Sequence, residues 1–175
     1  MKSNIMKIKN LLLATFVTVA STITVNAQKT LVDVAVGSKD HTTLVAAVKA
    51  ADLVATLQSA GPFTVFAPVN AAFGKLPAGT VEYLLKPENK ATLAKVLTYH
   101  VVAGSFNAAA VVKAITDGGG KVTLKTVSGG NLVASIKEGK VILTDERGGV
   151  ATVVATDLAA SNGLIHVLDA VVLPK

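Results

Sequence analysis

GPFTVFAPVNAAF, residues 61–73, and NGLIHVLDAVVLP, residues 162–174, decide how this chain is read. The first is a short apolar strand, Phe63 to Ala67. It must stop at Pro68, whose ring removes a backbone donor, and it turns into a helix at Asn70. The second opens on Asn162-Gly163, a pair suited to a turn with positive backbone angles. It continues as Leu, Ile and Val interrupted by His166 and Asp169, the pattern of a buried closing strand.

Between them lies Leu97-Thr98-Tyr99-His100-Val101-Val102. Three such segments in this order resemble the two signature motifs and the central Tyr-His segment of the fasciclin domain, and the likeness runs from about Thr30 to Pro174. The resemblance implies an α+β wedge of two antiparallel β-sheets with several short helices packed on one side. It also implies that the two signature strands lie together at the centre, and that Phe66, Pro68, Asn70, Asn162, Gly163, His166 and Asp169 are structural. Where the family usually places Thr or Ser before the Asn, this chain has Val69, which leaves Asn70 to cap the helix.

The N-terminus sets Lys2, Lys7 and Lys9 before an apolar stretch, Leu11 to Val25, and ends it with Val25-Asn26-Ala27. That is the layout of a secretory signal peptide, residues 1–27, cleaved after Ala27. The stretch is short and threonine-rich for a membrane span, so no span is expected after cleavage. Residues 28–175 are of a usual size for one domain with its own core. No cysteine occurs, which excludes a disulfide framework, thiolate metal sites and a Cys nucleophile. Export without disulfides points to a secreted or periplasmic bacterial protein. The formal charge of +6 halves once the three leader lysines leave, and the remaining lysines are scattered, so nucleic acid is not an expected partner.

Helical periodicity fills Thr30 to Ala60, where Asp52 is placed to start a third helix. Farther on, Thr80 is placed to cap Val81 to Leu85, Pro87 to open a helix running to about Leu97, and Asn107 to cap Ala108 to Thr116. From Lys121 the period becomes two, with turns at 128–130, 138–139 and 147–149, so an antiparallel meander is expected.

The three histidines, His41, His100 and His166, lack the close spacing of metal ligands, and no metal or other cofactor is expected. His41 reads as a surface residue. His166 reads as buried and neutral, bonded to Asn70, Asp169 or a backbone group. No Gly-x-Ser-x-Gly elbow or phosphate loop appears, and an enzyme is not expected. Tyr99 and His100 carry two readings. By resemblance they and Leu97 belong to an adhesive surface, as do Asp157 and Leu158, which occupy the place of a second adhesion element; read from their apolar neighbours, Tyr99 and His100 are a packing pair. The function expected is a secreted, non-enzymatic adhesion or interaction module of the cell envelope or extracellular matrix. Its partner would be a cell-surface protein or an envelope or matrix polysaccharide, with weak self-association compatible with that role. The alternative is a small-ligand or glycan-binding envelope protein, for which the gap between helices and sheet would have to form a pocket.

Overall fold

The computed structural model describes residues 29–175; the leader expectation, with its cleavage after Ala27, lies outside them. Seven strands form one continuous mixed sheet in the order β2-β1-β7-β6-β5-β4-β3. These are β1 Phe63–Pro68, β2 Val101–Ala103, β3 Lys121–Lys125, β4 Asn131–Lys137, β5 Lys140–Thr144, β6 Val150–Ala160 and β7 Gly163–Leu168. The α+β class and the central pairing of the signature strands are as expected. One pairing differs from an all-antiparallel wedge: β1 and β7 run parallel, from Phe63 opposite Gly163 to Pro68 opposite Leu168. Hairpins force antiparallel neighbours only between consecutive strands, and these two come from opposite ends of the chain.

The wedge's two halves meet in β6. Its first residues pair with β5, and from Val153 it pairs with β7, with register shifts between Val153 and Ala155 and between Ala155 and Leu158. Bulges bend a strand and sharpen its twist, which allows β6 to leave one half and join the other. Within the meander, Glu138 and Gly139 at φ 52° and 75° make a two-residue primed turn between Lys137 and Lys140.

Seven α-helices accompany the sheet among the described residues: α1 Leu31–Val36, α2 Thr42–Ala50, α3 Val54–Gln58, α4 Asn70–Gly74, α5 Thr80–Leu85, α6 Lys90–Tyr99 and α7 Ala108–Asp117. Two cores lie on opposite sides of the central strands. In one, Val111 and Ile115 of α7 pack with Phe66, Leu124, Leu132, Leu143 and Leu168. In the other, Leu31, Leu44, Leu93 and Leu97 pack with Ala67 and Ile165. Because Phe66 and Ala67 face different cores, β1 is buried on both sides, which explains the apolar run Val65 to Pro68 in place of alternation.

Two helix starts are corrected. Asp52 does not start α3. It sits at φ 60° just past the end of α2, where its N–H donates to the Lys49 carbonyl and that of Leu53 to Val48, closing α2 with a Schellman motif. Thr80 is the first residue of α5, preceded by Gly79 at φ 80°. Asn107 caps α7 as expected, accepting from the Ala110 N–H at 2.7 Å.

Candidate functional site

The signature residues converge on the β1–β7 pair. A Cβ on Gly163 would lie 2.0 Å from the Phe63 carbonyl oxygen, and one on Gly61 would lie 2.0 Å from that of Asn162. Both glycines are therefore required by close backbone approach. The chain turns here as expected, at Ser161-Asn162 between the paired Ala160 and Gly163, but without the expected positive angles, since neither Asn162 nor Gly163 has a positive φ. Asn162 works through its side chain: Oδ1 accepts from the Leu31 N–H at 3.0 Å, and Nδ2 donates to the carbonyls of Leu57 (2.7 Å) and Ser59 (2.9 Å). One amide thereby ties the start of α1 and the end of α3 to the head of β7.

Asn70 is corrected in the same way. The cap position of α4 is Val69, which offers no side-chain bond. Asn70 instead accepts from the Thr43 N–H (3.0 Å) and the Thr42 hydroxyl (3.2 Å) and donates to the Lys39 carbonyl at 2.9 Å. It caps α2 from across the fold. Pro68 is fully buried at the end of β1, and the next N–H, that of Val69, donates to the Leu168 carbonyl. Asp169 accepts from the Thr152 N–H at 2.7 Å and pairs with Lys75 at 3.4 Å.

His166 is 2% exposed and stacked on Phe66 with ring centroids 5.5 Å apart. Its Nε2 lies 2.7 Å from the Phe106 carbonyl oxygen, and its Nδ1 3.4 Å from the Asp157 backbone nitrogen. A carbonyl only accepts and an amide only donates, so the ring is the neutral Nε2–H tautomer. The expected backbone partner is thus present, while Asn70 and Asp169 bond elsewhere.

The surface reading of Tyr99, His100 and Leu97 is corrected: all three are core residues, 0%, 2% and 5% exposed. The Tyr99 hydroxyl donates to the Asn131 carbonyl at 2.6 Å and accepts from the Glu146 N–H at 3.2 Å. Burial pushes the phenol pKa up. His100 Nδ1–H donates to the Val96 carbonyl (2.8 Å), and Nε2 accepts from the Val172 N–H (3.3 Å). Burial pushes its pKa down to about 4, so the ring is neutral at pH 7. Their apolar neighbours signalled this packing role.

Asp157 and Leu158 are exposed, Leu158 by 40%. The Asp157 carboxylate is nonetheless occupied, accepting from the Ala108 N–H at 2.8 Å and so sharing with Asn107 the capping of α7. His41, expected at the surface, is 5% exposed. Its Nδ1 lies 2.8 Å from the Ser38 hydroxyl, and among the described residues its Nε2 has no hydrogen-bond partner. Burial lowers its pKa, opposed by Asp40 and by the Ala67 carbonyl.

Asp145 and Glu146, which lead into the turn at 147–149, anchor the C-terminal segment. Asp145 accepts from the N–H groups of Arg147, Gly149 and Leu173 at 2.7–2.9 Å. Glu146 accepts from those of Asn131 (3.0 Å) and Lys175 (3.4 Å), which lower its carboxyl pKa. The Asp-x-x-Gly-Gly spacing carried the local half of that signal, because a carboxylate favours its own backbone N–H groups two residues on. The contact with Leu173 left no trace in local sequence.

Among the described residues no group of His, Asp and Glu could hold a metal ion. The cleft between the N-terminal helices and the sheet, lined by Leu31, Val48, Leu57, Val65, Leu97 and Ile165, has a cavity volume of about 40 Å³. That admits a few water molecules, against about 300 Å³ or more for a small-molecule site. A wider groove of about 560 Å³ beside Gly61, Ser105 and Asn162 is open to solvent and walled by small side chains and backbone. No helix of the described residues is long and apolar enough to cross a membrane.

A family model described as Fasciclin domain matches residues 39–174. The chain is 51% identical to Protein sll1483 of a Synechocystis strain over 89% of its own length and 79% of that protein's. It is 35% identical to the transforming growth factor-beta-induced protein ig-h3 of Sus scrofa, over 83% of this chain and 19% of that one. Its fold is similar to a solved FAS1 domain pair from the insect cell adhesion molecule Fasciclin I, with a TM-score of 0.73 at 18% identity, covering 83% of this chain and 51% of that one.

Proposed function

The chain belongs to the fasciclin domain family, and from that premise we propose that residues 28–175 act as a secreted, non-enzymatic adhesion module of a bacterial envelope or matrix. Fasciclin domains mediate protein interactions, and the solved relative is a cell adhesion molecule by its description. One observation carries the reading for this chain. The polar groups of its motifs are engaged inside the fold: Asn70 and Asn162 on backbone, Tyr99 on Asn131 and Glu146, and His166 on Phe106 and Asp157. A nucleophile needs a base held within reach, and these groups are neither paired for that nor open to a substrate.

What remains for function is the outer surface of a rigid body. Asp157 and Leu158 are the members of the proposed contact set that reach it, with Leu158 as the apolar element. Contact areas of a small domain give weak single affinities, so strength would come from many copies acting together. The small-ligand reading gains no support from a cavity of about 40 Å³.

The test is binding of purified Gln28–Lys175 to intact producer cells, with an unfolded sample as control. Saturable binding by the folded protein alone is expected. Absence of binding, or equal binding by the unfolded sample, overturns the adhesive reading.

A further inference from the structure

The meander has two unlike faces. Leu124, Leu132, Leu143 and Ala151 point to the core beneath α7. The residues between them point the other way, and the register places Lys121, Ser135, Ile142 and Thr152 in one row across four strands. The next pair outward on this same face is Lys137 opposite Lys140. Directly opposed strand residues lie about 5 Å apart, and diagonal ones, such as Lys121 and Lys137, about 7–8 Å apart. Three ammonium groups thus share one end of one sheet face. Among the described residues none of the three enters an ion pair; the three salt bridges involve Lys75, Lys90 and Lys113.

The surrounding charge is one-sided. Strands β3, β4 and β5 contain Lys121, Lys125, Lys137 and Lys140 and no Asp or Glu. Glu138, exposed in the turn between Lys137 and Lys140, is one carboxylate against three ammonium groups and pairs with none of them, while Asp117 is paired with Lys113, and Asp145 and Glu146 are bonded to backbone N–H groups. Like charges directly opposite destabilise a sheet, so the Lys137–Lys140 pair works against the fold it sits in. An anionic partner would relieve that repulsion.

We infer that this lysine-edged sheet face is the contact surface for an acidic polysaccharide. The inference rests on the adhesive reading and names its partner class. Charge complementarity selects a polyanion. These three strands carry no aromatic side chain, so a neutral sugar finds no stacking platform, and carboxylates spaced along a glycan must supply the attraction. Ser135 and Thr152 in the same row offer hydroxyls to sugar hydroxyls. The row's aliphatic residue, Ile142, is half-buried within the sheet, unlike the protruding apolar side chains with which amphipathic elements enter a lipid surface.

The experiment compares Gln28–Lys175 with two charge-matched triple variants on immobilised polygalacturonate. One carries Lys121→Ser, Lys137→Ser and Lys140→Ser; the other carries Lys39→Ser, Lys49→Ser and Lys86→Ser. Neutral dextran and anionic phospholipid vesicles serve as the other probes. Melting midpoints no lower than that of the unmodified protein establish that each variant is folded. The sheet-face variant is expected to lose about tenfold in affinity for polygalacturonate, the control less than about twofold, and unmodified binding to weaken with salt. Equal loss in both variants, or no saturable binding by the unmodified protein, overturns the inference. Equal or stronger binding to the vesicles overturns it in favour of a lipid surface. Producer-cell binding that persists undiminished in the sheet-face variant sinks this inference alone, whereas unmodified protein that fails to bind cells sinks the adhesive reading beneath it.

Discussion

The β1–β7 centre and the β3–β6 meander are held in register by different means. In the meander each strand is placed by the turn before it: a two-residue loop at Glu138-Gly139 fixes Lys137 opposite Lys140, and the pairs beyond follow. At the centre no turn connects the partners. Their register is set by contacts between residues far apart in sequence: Gly163 on the Phe63 carbonyl, Asn162 on Leu31 and Leu57, and His166 on Phe106. A defect in a turn is local, whereas a defect at the centre separates two helical layers and two cores. The same kind of residue should therefore matter very differently in the two regions.

Glycine gives the sharpest contrast. Gly163→Ala sets a methyl 2.0 Å from a backbone oxygen that cannot move without parting β1 from β7. The expected loss is about 4 kcal/mol or more, enough to leave a marginal domain largely unfolded. Gly139→Ala meets no atom within 4 Å and costs only the left-handed backbone at φ 75°, about 1–2 kcal/mol. Urea midpoints of the two variants measure both. Equal losses would mean that the centre yields as easily as a hairpin tip.

Next in size is His166→Ala, which removes a buried ring from Phe66 and leaves the Phe106 carbonyl and the Asp157 N–H without their partner. A loss of about 3 kcal/mol is expected. An unchanged melting midpoint would contradict the structural role of this side chain.

The centre's second buried ring makes stability depend on pH. His100 has its pKa lowered to about 4 by burial, against an ordinary value near 6.5. Between these values the unfolded chain takes up a proton that the folded one refuses. Stability is therefore full above about pH 6.5 and falls as pH drops toward about 4, by roughly 3 kcal/mol in all. His41, also lowered by burial, contributes with the same sign. His100→Gln should flatten the slope of stability between pH 6.5 and pH 4, even though its stability at pH 7 will be lower. A slope identical to that of the unaltered protein would show that His100 is not buried as a neutral ring.

The difference between the regions also decided what the sequence could tell. The turns and alternation of the meander were legible, because both are local properties, whereas the full length of β6 to Ala160 was not. The signature segments were legible as strands, but their parallel pairing was not, since nothing local fixes the direction of strands joined through most of the chain. Asn70 and Asn162 were read through their nearest neighbours, as a helix cap and a turn former. Both act at long range, on α2 and on α1 and α3, where an amide serves groups that its own segment never approaches. His41 misled for a similar reason: a His beside Asp40 in a polar stretch looks solvated, and its inward rotation depends on Ser38 and the wall formed by Ala67 and Ile165.

The smallest expected effect lies at the hairpin tip and runs the other way. Glu138 occupies a left-handed position, φ 52°, that a residue with a long side chain adopts at a cost and that Asn favours next to Gly. Glu138→Asn should therefore stabilise by about 0.5–1 kcal/mol, provided that the turn sets the register of β4 and β5. The substitution also removes a carboxylate flanked by Lys137 and Lys140, an exposed attraction worth less than about 1 kcal/mol. Glu138→Gln removes the same charge without supplying the turn preference, so the difference between the two variants isolates the backbone effect. A higher urea midpoint for Asn than for Gln would establish local control of register in the meander. Equal midpoints would mean that the core beneath α7, and not the turn, holds β4 against β5, and the contrast with the centre would narrow to one of degree.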